Sequence, residues 1–178
     1  FEAKDNLTAR AKNLHIESKL SDTKDTGDFY KQDISKMAEL NLTDKNGKLQ
    51  VYADENIVVK GIHANIAGDA AFYAKNNLEL GMVSRINKEH YRMNADNYYL
   101  LDQENQIGNQ IQVKGNAQYI AGQNITVTGN QLHSDGETTI AAQGNIDIHE
   151  GRVKEHLNSA IKTTDRGLFS KKTITAKH

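Results

Sequence analysis

Proline is missing altogether from these 178 residues, as are cysteine and tryptophan. At the usual frequency of roughly 5%, a chain of this size carries about nine prolines. Proline is excluded where nearly every backbone N–H donates to a ladder, so its absence points to a fold built mostly of paired strands. Without cysteine there are no disulfide staples and no thiolate chemistry. No apolar run approaches the roughly 20 residues of a membrane-spanning helix, and the first residues do not read as a signal peptide. An excess of either charge is lacking too: 22 Lys plus Arg stand against 23 Asp plus Glu, a formal charge of -1. That balance argues against binding nucleic acid or anionic lipid by net electrostatics. With 37% apolar and 25% charged residues the chain can bury a core. It is polar for its length, which suits an elongated body.

What is present is repetition. Ala9 to Ile16, Tyr73 to Leu80 and Ala141 to Ile148 align with Asn and alternating aliphatics in register, at offsets of 64 and then 68. Asn56-Ile57-Val58-Val59-Lys60-Gly61 matches Asn124-Ile125-Thr126-Val127-Thr128-Gly129, and Gly68-Asp69 matches Gly136-Glu137, again at 68. Inside each unit runs a shorter beat of about twenty residues, marked by Asn56 and Asn77 and by Asn124 and Asn145. Each beat holds an apolar-polar-apolar strand preceded by Asn or Gly, residues that tolerate the left-handed backbone of a tight corner. The beat therefore reads as one turn of a solenoid whose turns pair in parallel. Leu14, Ile16, Ile57, Val59, Leu78, Leu80, Ile125, Val127, Ile146 and Ile148 would form its buried aliphatic column. The expected fold is an all-β parallel β-helix of six to eight turns, a single repeat segment over 1–178. Phe1 opens inside a strand-like pattern, so a segment of a longer protein is expected.

Three stretches break the beat, at about 18–40, 82–110 and 150–178, and read as polar hairpin or loop excursions. Phe29 to Leu40 fits a short helix or a strand equally well. Lys88-Glu89-His90-Tyr91 and Lys154-Glu155-His156-Leu157 relate the second stretch to the third. Asn46-Gly47 between Leu42 and Leu49 reads as a hairpin turn.

Chemistry is sparse in this pattern. The two Lys-Glu-His copies have no His-Glu-x-x-His spacing, so solvated faces are expected rather than a metal site. His15, His63, His133 and His149 fall at polar phases or corners. Asp22 to Asp28 is acidic and carries Gly27, but lacks the alternate-position oxygens and closing Glu of a calcium loop, so a flexible loop is expected. Glu79 and Asp147 fall at matched phases but several turns apart, too far for the paired carboxylates of a glycosidase. No catalytic, cofactor-binding or metal residue is assigned, and an enzyme is not expected. Tyr91, Tyr98, Tyr99 and Tyr119 are interleaved with Arg92, Asn94, Asn97 and Gln103, a mixture found at contact surfaces. Leu168 and Phe169, with Lys171 and Lys172 beside them, could form a partner-facing tip. The candidate contact residues are thus Tyr91, Tyr98, Tyr99, Leu168, Phe169, Lys171 and Lys172. Each aromatic could equally cover the aliphatic column.

The Asn124 to Gly129 beat, followed by Gly136 to Ile148, resembles the haemagglutinin repeats of two-partner-secreted exoproteins. So does the closing Gly167-Leu168-Phe169-Ser170-Lys171-Lys172-Thr173-Ile174-Thr175. That family includes filamentous haemagglutinin adhesins and the CdiA effectors of contact-dependent growth inhibition; the ending is similar to the more C-terminal repeat block of the latter. The resemblance implies a right-handed β-helix in a secreted, cell-surface protein of a Gram-negative bacterium, exported by an outer-membrane secretion partner. It implies a role at the target-cell outer membrane, or at a receptor there, in passing a C-terminal toxin inward. The alternative is the shaft and contact surface of an adhesin in host or biofilm attachment. No nucleic acid, small-molecule substrate or cofactor is expected, and the segment is expected to be monomeric.

Overall fold

The computed structural model describes residues 1–26, 28–166 and 171–177. Strands account for every regular element among them, and no helix occurs. In chain order they are β1 (Glu2–Ala3), β2 (Asn6–Ala11), β3 (Leu14–Glu17), β4 (Lys19–Asp25), β5 (Phe29–Lys36), β6 (Ala38–Leu42) and β7 (Lys48–Ala53). Then come β8 (Ile57–Lys60), β9 (Ile62–Ile66), β10 (Asp69–Ala74), β11 (Leu78–Gly81), β12 (Val83–Asn94), β13 (Asn97–Ile107) and β14 (Gln110–Val113). The last are β15 (Ala117–Ala121), β16 (Ile125–Thr128), β17 (Gln131–Ser134), β18 (Thr138–Ala142), β19 (Ile146–His149), β20 (Val153–Arg166) and β21 (Lys171–Lys177).

The chain divides into two compact units, one from 1–19, 34–83 and 106–152, the other from 20–33, 84–105 and 153 onward. The beat-breaking stretches of the sequence overlap the second unit, but 18–19, 34–40, 82–83, 106–110 and 150–152 belong to the first.

In the first unit, β1-β6-β9-β14-β17, β2-β7-β10-β15-β18 and β3-β8-β11-β16-β19 form three five-stranded parallel sheets. Three consecutive strands place one member in each sheet, and five such ranks follow one another, fewer than the six to eight expected. Register keeps like on like: Leu14, Ile57, Leu78, Ile125 and Ile146 stand in one file. Alternation turns every second residue inward. The core, fully buried, draws Leu42 and Ile66 from the first sheet, Val51, Phe72 and Tyr119 from the second, and Ile57, Val59, Leu78 and Leu80 from the third. Phe72 stacks on Tyr119 with centroids 5.5 Å apart and planes 12° apart. Burial pushes the Tyr119 hydroxyl pKa well up from its ordinary value. Tyr119 is thus a core residue rather than a contact residue. Ile146 and Ile148 keep their file but are exposed, because β19 is an outer strand of its sheet.

Asparagine earns its corner position differently from expected. Among the described residues no non-glycine has a positive φ; only Gly61 and Gly129 do, near 60°. The corner asparagines instead form a side-chain ladder between ranks. The Oδ1 of Asn13 accepts the N–H of Asn56, that of Asn56 accepts Asn77, that of Asn77 accepts Asn124, and that of Asn124 accepts Asn145, at 2.9–3.2 Å. Corner N–H groups that no strand partner reaches are thereby satisfied. Asn46-Gly47 is likewise a corner and not a hairpin: β6 and β7 lie in different sheets, and the N–H groups of Asn46 and Gly47 fold back on Asp44. Each strand pairs with its counterpart in the next rank, so chain neighbours have no reason to pair.

Gly61 turns the chain from β8 to β9 in a single residue. A Cβ there would lie 2.6 Å from Val83 Cγ2, on a backbone at φ +60°. The left-handed conformation alone costs a non-glycine residue about 1–2 kcal/mol. Gly61→Ala is therefore expected to destabilise the first unit by about 1–3 kcal/mol in urea unfolding, whereas an unchanged midpoint would show the corner to be pliable.

Candidate contact surface

The second unit is one six-stranded sheet, β21-β20-β13-β12-β5-β4. The β12–β5, β13–β20 and β20–β21 pairs are antiparallel. Phe29 to Lys36, ambiguous in sequence, is strand β5, and Ala38 to Leu42 is β6 of the first unit. The acidic run after Asp22 is no loop in its first half: it lies in β4, and the Asp22 carboxylate accepts hydrogen bonds from the Tyr30 hydroxyl at 2.9 Å and the Gln32 amide at 3.2 Å. Gly27 lies outside the described residues.

Long strands rich in charged and amide residues form here because their side chains satisfy one another across the ladder. Gln103 on β13 accepts from Asn87 on β12 at 3.3 Å and donates to Glu155 on β20 at 2.6 Å. Lys154 meets Glu104 at 3.2 Å, and Lys162 meets Asp96 at 2.8 Å. The two Lys-Glu-His copies flank β13: His90 Nε2 lies 3.0 Å from Asp102, and His156 is the cross-strand partner of Asp102. No group of three or more His, Cys, Asp or Glu able to hold a metal occurs among the described residues.

Strand alternation sorts these residues onto two faces. Tyr99, Leu101, Gln103 and Asn105 share a face with their partners Ser159, Leu157, Glu155 and Val153. The Asn87–Gln103 contact puts the odd-numbered residues of β12 there as well. That face therefore carries Tyr91, Met93, Tyr99, Val153, Leu157 and Ile161. These are all the large hydrophobic side chains that the second unit exposes among the described residues, from 38% for Tyr99 to 69% for Val153. The opposite face carries His90, Arg92, Tyr98, Asp102 and His156. There Arg92 lies 5.5 Å from the Tyr98 ring centre, and the Tyr98 hydroxyl donates to Asn158 at 3.0 Å.

Of the residues singled out in sequence, Tyr91 and Tyr99 are thus brought to one face and Tyr98 to the other. Leu168 and Phe169 lie outside the described residues. Lys171 and Lys172 pair through their backbones with Arg166 and Asp165. Met93, Val153, Leu157 and Ile161 escaped notice, although Val153, Leu157 and Ile161 repeat with even spacing, the signal of one strand face.

In the first unit, Glu79 stands two strands from Asp147 with Thr126 between them, nearer than the sequence suggested, and is in an ion pair with Lys60 at 2.8 Å. Of the two half-exposed carboxylates with lowered pKa, Glu55 is held down by Asn13 and then Lys12, and Asp135 by Lys114 and then His133. Each is occupied in a local pair rather than aimed at a shared centre.

No family model matches the chain, and neither a curated protein nor a solved structure does.

Proposed function

We propose that the first unit is a right-handed parallel β-helix of five three-stranded coils and that the chain is a non-enzymatic segment of a secreted, CdiA-like surface effector. The observation that carries this is the return of an Asn-led strand, with aliphatic residues at its first and third positions, to the same corner and the same sheet in every rank. This is the beat on which the likeness to haemagglutinin repeats rests. The effector leaves the producer cell through its outer-membrane secretion partner, extends from the surface and engages the outer membrane of a target cell to help deliver a C-terminal toxin. The exposed face of Tyr91, Met93, Tyr99, Leu157 and Ile161 supplies apolar contact area, and the Asn87, Gln103 and Glu155 side chains among them are already hydrogen-bonded to one another.

The test is binding of the purified chain to Gram-negative cells. Tyr91→Ser together with Leu157→Ser, both at exposed positions, is expected to cut the bound fraction several-fold while the melting curve stays in place. Equal binding by the variant removes the face from the mechanism. Reading the parent frame beyond His178 separates the two roles: a compact non-repeat domain followed by a small protective gene marks an effector, and further repeats mark an adhesin shaft.

A further inference from the structure

Among the described residues, the large hydrophobic side chains that the first unit exposes are Phe1, Tyr73, Ile146 and Ile148. Phe1, Ile146 and Ile148 lie at its outer ranks. Tyr73 does not: it sits on β10, paired with β7 on one side and β15 on the other, and is still 42% exposed. Alternation points it outward, into a group of uncharged side chains on the outer face of the sheet. Tyr52 stands beside it in register, with ring centres 6.0 Å apart and planes tilted by 52°. Two residues back along the strands, the register sets Gln50, Ala71 and Gln118 in a row. Ala71 offers only a methyl group between two longer amides, and a notch of about 250 Å³ opens there, its walls including Gln50, Tyr52 and Gln118. We propose that this notch, with the Tyr52–Tyr73 pair at its side, binds one ring of a neutral polysaccharide chain.

The chemistry of the walls selects this occupant. A pyranose ring shows C–H bonds on its faces and hydroxyls around its rim, so it packs on an aromatic ring while the rim seeks groups that both donate and accept. Carboxamides do both. The side-chain amide of Gln118 has no partner among the described residues, and neither has the Tyr73 hydroxyl. Gln50 is held loosely: it accepts from Thr8 at 3.5 Å and donates to the Tyr52 hydroxyl at 3.4 Å, both beyond the roughly 3.2 Å of a well-formed bond. These groups can turn to a ligand at little cost. Charge argues against an acidic occupant. Lys48, at one end of the notch, stands in register with Asp69, and Arg10, the register partner of Tyr52, lies 3.6 Å from Asp54. Neither cation is left unbalanced to hold a sulfate, phosphate or carboxylate. An added peptide strand finds no edge here, since β7, β10 and β15 are each paired on both sides. Size agrees as well: the notch falls below the roughly 300–1,000 Å³ of a pocket for a drug-sized ligand and suits a single ring of a longer chain. All of these strands lie between other ranks, so the site does not depend on what flanks the unit.

Binding of the full 178-residue chain to a microarray of neutral and acidic glycans tests the proposal, followed by calorimetry with the best-retained oligosaccharide. Neutral chains of glucose, galactose or N-acetylglucosamine are expected to be retained, equally at low and high salt. Tyr73→Ala should weaken binding about three- to tenfold, the worth of one aromatic stacking contact. Ala71→Gln, which continues the amide row and fills the notch, should abolish binding with both rings still in place. Both positions face outward, so the melting curves should not move. Tyr91→Ser with Leu157→Ser, on the second unit, should leave glycan binding unchanged, so that this site and the cell-binding face succeed or fail separately. Three results each overturn the proposal: no neutral chain retained, retention of acidic glycans alone that is lost at high salt, or full binding in either the Tyr73→Ala or the Ala71→Gln variant.

Discussion

Replacing Phe72 by alanine lowers the stability of the first unit by about 3–5 kcal/mol, the usual range for truncating a buried aromatic residue. Phe72 is fully buried, stands in register with Val51 on one side and Tyr119 on the other, and stacks on the tyrosine ring. Ladder hydrogen bonds fix the spacing between ranks, so β7 and β15 cannot move together to fill the void. The cavity therefore persists, and its lining loses contacts on both sides. With a urea m-value of about 2 kcal/mol/M, the unfolding midpoint falls by about 2 M. Phe72→Leu, which keeps much of the volume, should recover most of the loss. A Phe72→Ala midpoint within about 0.5 M of wild type, on the same m-value, would mean that the ranks can slide and that the core is not packed in files.

The same rigidity explains what could be read in the sequence. A strand whose neighbours sit one rank away in the same phase repeats its pattern, and Asn56, Asn77, Asn124 and Asn145 with the aliphatics behind them announced both the sheet and its register. Local turn chemistry misled in proportion to how local it was. Asn46-Gly47 carries a hairpin signature, yet the ladder between ranks satisfies the flanking strands and leaves the dipeptide as a corner. The corner asparagines were legible as corners but not as a ladder, since their partners lie 21 to 47 residues away. The second unit was harder still. Its strands have no common period, and their order is set by pairs such as Gln103 with Glu155, which no short window contains. Tyr91 and Tyr99 could be named as contact residues from composition. That they share a face with Leu157, and that Tyr98 does not, depends on a register between distant segments.

Asn109 gives the largest effect that no sequence pattern announced. It is 1% exposed and lies where the chain comes back into the first unit, and its amide closes a corner that backbone pairing leaves open. Its Oδ1 accepts the N–H of Ile62 at 3.0 Å, and its Nδ2 donates to the carbonyls of Val59 at 3.0 Å and Gly81 at 3.2 Å. Asn109→Ala removes all three of these buried hydrogen bonds, and a loss of about 3–5 kcal/mol is expected after partial relaxation. Asn109→Asp separates the donor from the volume. Its first oxygen still serves Ile62, but its second, ionised at neutral pH, would face two carbonyl oxygens in a dry corner. The folded-state pKa of that aspartate is therefore raised above the unfolded value of about 3.9. A group with a raised folded pKa contributes fully below its unfolded pKa and loses that contribution as pH rises through the folded one. The variant should accordingly be weakest at pH 7 and above and regain stability on acidification, when a protonated carboxyl can donate to one of the two carbonyls. The wild-type chain, whose Glu55 and Asp135 have lowered pKa values, changes in the opposite sense, losing stability as pH falls through those values. Urea midpoints of both proteins across that range give two curves that converge on the acid side. Parallel curves would show that the second oxygen finds water and that the carboxylate is not desolvated in this corner.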